Sequence, residues 1–171
     1  MTSTDWSTIR SAAAKYDNDS QFVTFWGFEW TSDTNEWMTN GKGLGHVTVV
    51  NSETWCNASK TGTDTLNGLV NWLNTQPNAV ALLNHPGQYG TTFDRFVFNK
   101  TDKIVGMELW NRSSDYYSNN VFYTNDGNKD YSDEALSRGW YIGAGGGQDN
   151  HEGGWGTDSD SRIAVLEHRT A

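Results

Sequence analysis

The chain has a single cysteine, Cys56, so it can form neither an internal disulfide nor a cysteine-based zinc site. Lys and Arg number 12 against 21 Asp and Glu, a formal net charge of −9. A surface of that sign disfavours nucleic-acid backbones and anionic membranes as main partners, and an anionic substrate would need a local positive centre. No apolar run is long enough to span a bilayer, and the first residues do not read as a signal peptide. There is no G-x-S-x-G elbow, and Cys56 has no evident base beside it, so nucleophilic Ser or Cys catalysis has no support. No internal repeat or low-complexity linker divides the 171 residues, which are expected to form one domain, 1–171, with a real core.

What is abundant is Gly, Asn, Ser, Thr, Asp and Trp, a flavour shared with many exported bacterial proteins; composition leans to export and leaves the localisation open. Thr4 or Asp5 can cap a helix running to Tyr16. The aromatic and β-branched run from Gln21 to Thr31 reads as a buried strand carrying one charge, Glu29. A carboxylate there is costly unless it is paired or bound to a cation. His46–Val50 reads as a second strand. Thr63 or Asp64 opens an amphipathic helix with Leu66, Leu69, Val70 and Leu73 on one face, ended by Pro77. Strands are expected at Ala79–Leu83, Ile104–Trp110, Trp140–Ala144 and Arg162–Glu167, with a short helix from Ser132 stopped by Gly139. Strands alternating with helices imply an α/β fold with a largely parallel sheet, whose reactive groups collect at strand C-termini.

Histidine is scarce, and its placement is the informative feature. Three of the four residues stand beside Gly or Pro at the edges of strand-like runs: His46 in G-H-V-T-V-V, His85 in L-L-N-H-P-G, and His151 in G-G-G-Q-D-N-H. Asp149 lies two residues before His151, a spacing that puts both side chains on one side of an extended segment. The glycine-rich stretch from Gly143 to Gly154 suits either a metal or an anion. Each ligand-type residue also has an ordinary reading. His46 could be a hydrogen-bonded strand-edge histidine, His85 a turn residue, Glu29 a salt-bridged carboxylate, and Asp149 and His151 parts of a solvated loop. Their joint arrival near strand ends favours a metal site. Of the nine Trp, Trp26, Trp72 and Trp140 read as core, while Trp30, Trp37, Trp110 and Trp155 are close enough in sequence to the candidate ligands to wall a pocket. Arg112 or Lys42 could steady an anionic group of a substrate.

Five pieces in order, G-F-E-W-T, G-H-V-T-V-V-N, L-L-N-H-P-G, V-G-M-E-L-W-N and G-G-G-Q-D-N-H, resemble the PHP (polymerase and histidinol phosphatase) superfamily in its CehA/McbA-like metallohydrolase branch. The resemblance covers nearly the whole chain from Phe22 on. It implies a distorted, TIM-like β/α barrel of PHP type, with up to three metals at the C-terminal ends of the strands. It further implies Glu29 as a carboxylate bridging two metals, His46 and His85 completing one of them, Asp149 on the neighbouring ion and His151 on a third. Glu108 matches a position that is either structural or orients a ligand. The family's opening H-x-H has no counterpart, because no His precedes His46. An incomplete barrel is therefore expected, in a fragment of a longer protein or in a short form that compensates by forming homo-oligomers.

The resulting expectation is a metal-dependent hydrolase, with zinc first and Mn or Fe next, acting on a small-molecule phosphoester, carboxyl ester, amide or carbamate. Glu29, Asp149 and His151 are its candidate catalytic groups, and Trp30, Trp110, Arg112 and Trp155 its candidate substrate contacts. The alternative is a catalytically reduced remnant that keeps a metal-stabilised, Trp-lined pocket for a glycan or peptide.

Overall fold

A computed structural model describes residues 1–18, 21–33, 42–87, 92–111, 131–147, 149 and 151. Three helices and five strands follow one another as α1 (Ser3–Tyr16), β1 (Gly27–Ser32), β2 (Gly45–Val50), α2 (Leu66–Leu73), β3 (Val80–Asn84), β4 (Ile104–Asn111), α3 (Tyr131–Ser137) and β5 (Gly143–Gly147). The strands form one sheet in sequence order. The class is α/β, as the alternation implies, but the sheet is mixed rather than largely parallel. β1–β2 and β2–β3 pair antiparallel, whereas β3–β4 and β4–β5 pair parallel. Among the described residues the sheet is open, with β1 and β5 as its edges, and barrel closure is not seen. The strand expected at 162–167 lies outside the described residues.

Local chemistry explains the element boundaries. α1 starts two or three residues earlier than a cap at Thr4 or Asp5 implies, because Thr2 and Asp5 form a reciprocal capping box. α2 is capped by Thr65, whose hydroxyl accepts from the Gly68 N–H. Its face of Leu66, Leu69, Val70 and Leu73 is fully buried, roughly 1.5–3 kcal/mol of hydrophobic stabilisation per side chain. α3 ends on Gly139 at φ 78°, with Gly139 N–H donating to Leu136 O and Trp140 N–H to Ala135 O, a Schellman closure.

Two strand expectations shift. The run from Gln21 is strand only from Gly27, because its first residues bond to the end of α1 instead. Asn18 bridges Phe22, and the Thr24 hydroxyl donates to Ala13 O. The last described strand is the glycine run itself, not Trp140–Ala144: Trp140 is drawn into the core against Phe98, and Tyr141 stays exposed.

Alternation divides the sheet into two faces. Trp30, Val47, Val49, Ala81, Leu83, Ile104 and Met107 join α2 in the core. On the other face the ladder places Glu29 opposite Thr48 and His46 opposite Asn84. No helix among the described residues is long and apolar enough to cross a membrane.

Candidate metal centre

The mixed topology is what assembles the site. Glu29 comes from within β1, His46 opens β2, and His85 follows the end of β3. Because β2 runs antiparallel to both neighbours, its first residues lie at the same sheet edge as the last residues of β1 and β3, with Thr31 opposite His46 and His46 opposite Asn84. Gly45 precedes His46 at φ 108°, and a Cβ there would stand 2.7 Å from the Phe93 ring. That ring belongs to a left-handed turn in which Phe93, Asp94, Arg95 and Phe96 all have φ between 44° and 61°. Such a conformation costs about 1–2 kcal/mol per residue. Burial of Phe93 and Phe96 offsets it.

Glu29, His46 and His85 each offer one ligand atom, and the three lie within 4.8 Å of one another. Glu29 Oε1 is 3.5 Å from His46 Nδ1 and 3.7 Å from His85 Nε2. Two ligands bound at about 2.0–2.1 Å in tetrahedral geometry are about 3.3 Å apart, so this set fits a zinc-like ion after small movements. The imidazoles pack edge to face, with centroids 4.7 Å apart. Both histidines are buried, whereas the Glu29 side chain is one-third exposed, leaving an approach from solvent.

Asn84, which sequence reasoning passed over, and Glu108 hold this set in place. Asn84 Nδ2 donates to both Glu29 Oε1 and Thr48 Oγ1 at 2.8 Å, and Asn84 Oδ1 accepts from the Thr48 N–H. An amide directly before His85 at the end of an apolar strand was the available signal. Glu108 Oε2 accepts the His85 backbone N–H at 2.8 Å. His85 sits at φ 28°, an unusual conformation for a side chain of its size, and this hydrogen bond helps to fix it. The glycines of β5 then acquire a reason. Glu108 pairs with Gly145 in register, and a Cβ on Gly147 would come 2.7 Å from Glu108 Oε1. Gly147→Ala is expected to displace Glu108 and weaken metal affinity about tenfold, read by metal titration. An unchanged affinity would show that Glu108 does not position His85.

Asp149, at φ 47°, lies near enough to act electrostatically on His85, and its Oδ1 is 3.2 Å from His151 Nε2. These two residues form a pair beside the Glu29–His46–His85 group and are not part of it. Trp30 requires correction as a substrate contact. It is fully buried on the opposite face, with its indole N–H donating to Thr63 O, since adjacent strand residues point to opposite sides. Trp110 is in β4, paired with Gly146. Trp37, Arg112 and Trp155 lie outside the described residues. Lys42 is held by Asp64 at 2.7 Å. Burial pushes the Cys56 thiol up to about 12, which leaves it inert.

The charges within the cluster are strongly coupled. Burial works against the ionised Glu29 carboxylate, but hydrogen bonds from His46 and His85, the charge of His46 and the Asn84 amide outweigh it and hold Glu29 far below the carboxylate range. Burial alone would lower His85. The hydrogen bond to Glu29, with the charges of Glu108, Glu29 and Asp149, outweighs that effect and raises it. The lowered Glu29 contributes stability that is full above its ordinary 4.5 and lost as pH falls. The raised His85 contributes stability that is full below its ordinary 6.5 and lost as pH rises through the folded value. Metal-free protein is therefore expected to gain most from the pair between pH 4.5 and 6.5. Metal uptake should instead strengthen as pH rises and release a proton. Chelator-treated samples melted across pH, alongside metal titrations in two buffers of different ionisation enthalpy, check both signs.

Compared with protein-family models, curated proteins and solved structures, the chain matches none.

Proposed function

We propose that the protein is a metal-dependent hydrolase of the PHP type, with an incomplete form of that barrel, acting on a small ester-type substrate. The observation that carries this reading is the convergence of Glu29 Oε1, His46 Nδ1 and His85 Nε2 at one sheet edge. Two histidines and one carboxylate with an open fourth position is a donor set of catalytic zinc sites, and Mn or Fe suits it next. When bound, such an ion supplies Lewis acidity and lowers the pKa of a coordinated water to about 7.

The protein's own groups do the rest. Glu29, His46 and His85 hold the ion, Asn84 orients the carboxylate, and Glu108 fixes the backbone that presents His85. The Asp149–His151 pair stands beside them as the group that takes a proton from the attacking water and returns it to the leaving oxygen. The resemblance in the sequence supports the same class, and adds the expectation that Asp149 and His151 can hold further ions.

The test is turnover of 4-nitrophenyl phosphate and 4-nitrophenyl acetate by metal-loaded and chelator-treated protein. Metal-restored cleavage of one of them is the expected result and identifies the bond. Metal loading without cleavage of phosphate, carboxyl ester, amide or carbamate probes would contradict the hydrolase and favour the binding module.

A further inference from the structure

A cleft of about 510 Å³ opens on the helix side of the sheet, away from the Glu29–His46–His85 cluster. Its apolar wall is Phe96, Val97 and Phe98, and its polar rim is Asn67, Lys100 and Arg138. Three features distinguish it from an ordinary surface depression.

The first is charge. In a chain with net charge −9, this cleft is lined by two cations and no acid among the described residues. Arg138 pairs with Glu134 at 3.1 Å, a carboxylate that Arg95 also engages at 2.7 Å.

The second is that Lys100 reaches the end of α3, where Arg138 lies. Lys100 Nζ lies 3.3 Å from where a Cβ on Gly139, the residue after Arg138, would stand. Among the described residues Lys100 makes no hydrogen bond or ion pair, and the closure of α3 by Gly139 and Trp140 already satisfies carbonyls that could have engaged it.

The third is the wall. Val97 is 59% exposed, and Phe98 is backed by Trp140 at a centroid distance of 4.6 Å. The Trp140 indole N–H donates to Phe96 O, and the Asn99 N–H is fixed by Asn67 Oδ1. Both bonds tie the wall to the fold. Charged groups set beside apolar side chains that the fold holds in place are a feature of small-molecule sites.

We propose that this cleft is a second binding site, selective for a small organic oxyanion on an apolar body, with Lys100 and Arg138 taking the oxyanion and Val97 and Phe98 the body. A carboxylate and a phosphoryl group share this chemistry. Arg138 offers a planar fork and Lys100 a point charge, a combination that serves either.

Calorimetric titration of metal-free protein with phenylphosphonate, benzoate, inorganic phosphate and benzyl alcohol tests the site. Phenylphosphonate or benzoate should bind one per chain, at least about tenfold tighter than phosphate or benzyl alcohol, and the tighter of the two identifies the oxyanion. Lys100→Gln and Arg138→Gln should each weaken that binding about tenfold. Lys100→Arg, which keeps the charge, should largely restore it, and zinc uptake should be unchanged in all three variants. Melting curves establish that each variant is folded. Equal binding of phenylphosphonate and phosphate would overturn the proposal, as would affinity unaffected by Lys100→Gln or no saturable binding at millimolar ligand.

Discussion

Replacing His85 with alanine is expected to lower zinc affinity more than about 100-fold and to take hydrolytic turnover to background. Loss of a residue that only orients a ligand already costs about 10–100-fold, and His85 supplies one of three donors, 3.7 Å from Glu29 Oε1. Its side chain is buried, and alanine leaves that donor position empty. The backbone at φ 28° also matters, because alanine is disfavoured there. His85→Asn is the matched control, since Asn tolerates left-handed angles better. It should keep the melting temperature closer to that of the unaltered protein while still losing metal and turnover. Equilibrium dialysis with elemental analysis, run beside an ester assay, reads both quantities. A His85→Ala protein with full metal content and full turnover would remove this site from the account.

Trp30→Ala is expected to destabilise the fold by about 3–5 kcal/mol, the range for large-to-small changes at buried aromatics. Trp30 is completely buried, and its indole N–H donates to Thr63 O at 2.8 Å, tying β1 to the segment that leads into α2. For a domain whose total stability is about 5–15 kcal/mol, that loss would be visible as a large drop in urea midpoint. Trp30→Phe, which keeps much of the ring, should lose less and leave KM unchanged. A raised KM with intact stability would instead place Trp30 against the substrate and contradict its core position.

The legible parts of the chain were those governed by local periodicity. Leu66, Leu69, Val70 and Leu73 announce α2 and its buried face, and Gly139 marks the end of α3. Glu29, His46 and His85 were legible as candidate ligands because each is a costly or scarce residue at the edge of an apolar run. Strand direction was not legible, since pairing depends on distant partners. His46 reaches the cluster from the start of its strand only because β2 is antiparallel to its neighbours. The expected strand stops at Ala144, yet β5 runs on through Gly145, Gly146 and Gly147, where the backbone passes close to Met107 and the Glu108 carboxylate. Trp30 shows a signal that was present and underused. Neighbouring strand residues face opposite ways, so Glu29 and Trp30 cannot both line one pocket.

The most direct test of the central claim is the metal content of protein purified without chelator or added metal, measured together with the response of activity to chelation. About one or more equivalents of Zn, Mn or Fe per chain, with turnover lost to chelator and restored by that metal, is the result expected from three donors and an open position. A protein that arrives metal-free, takes up no divalent ion on titration and cleaves no ester would contradict it, and Glu29, His46 and His85 would then be a hydrogen-bonded charge cluster without an ion.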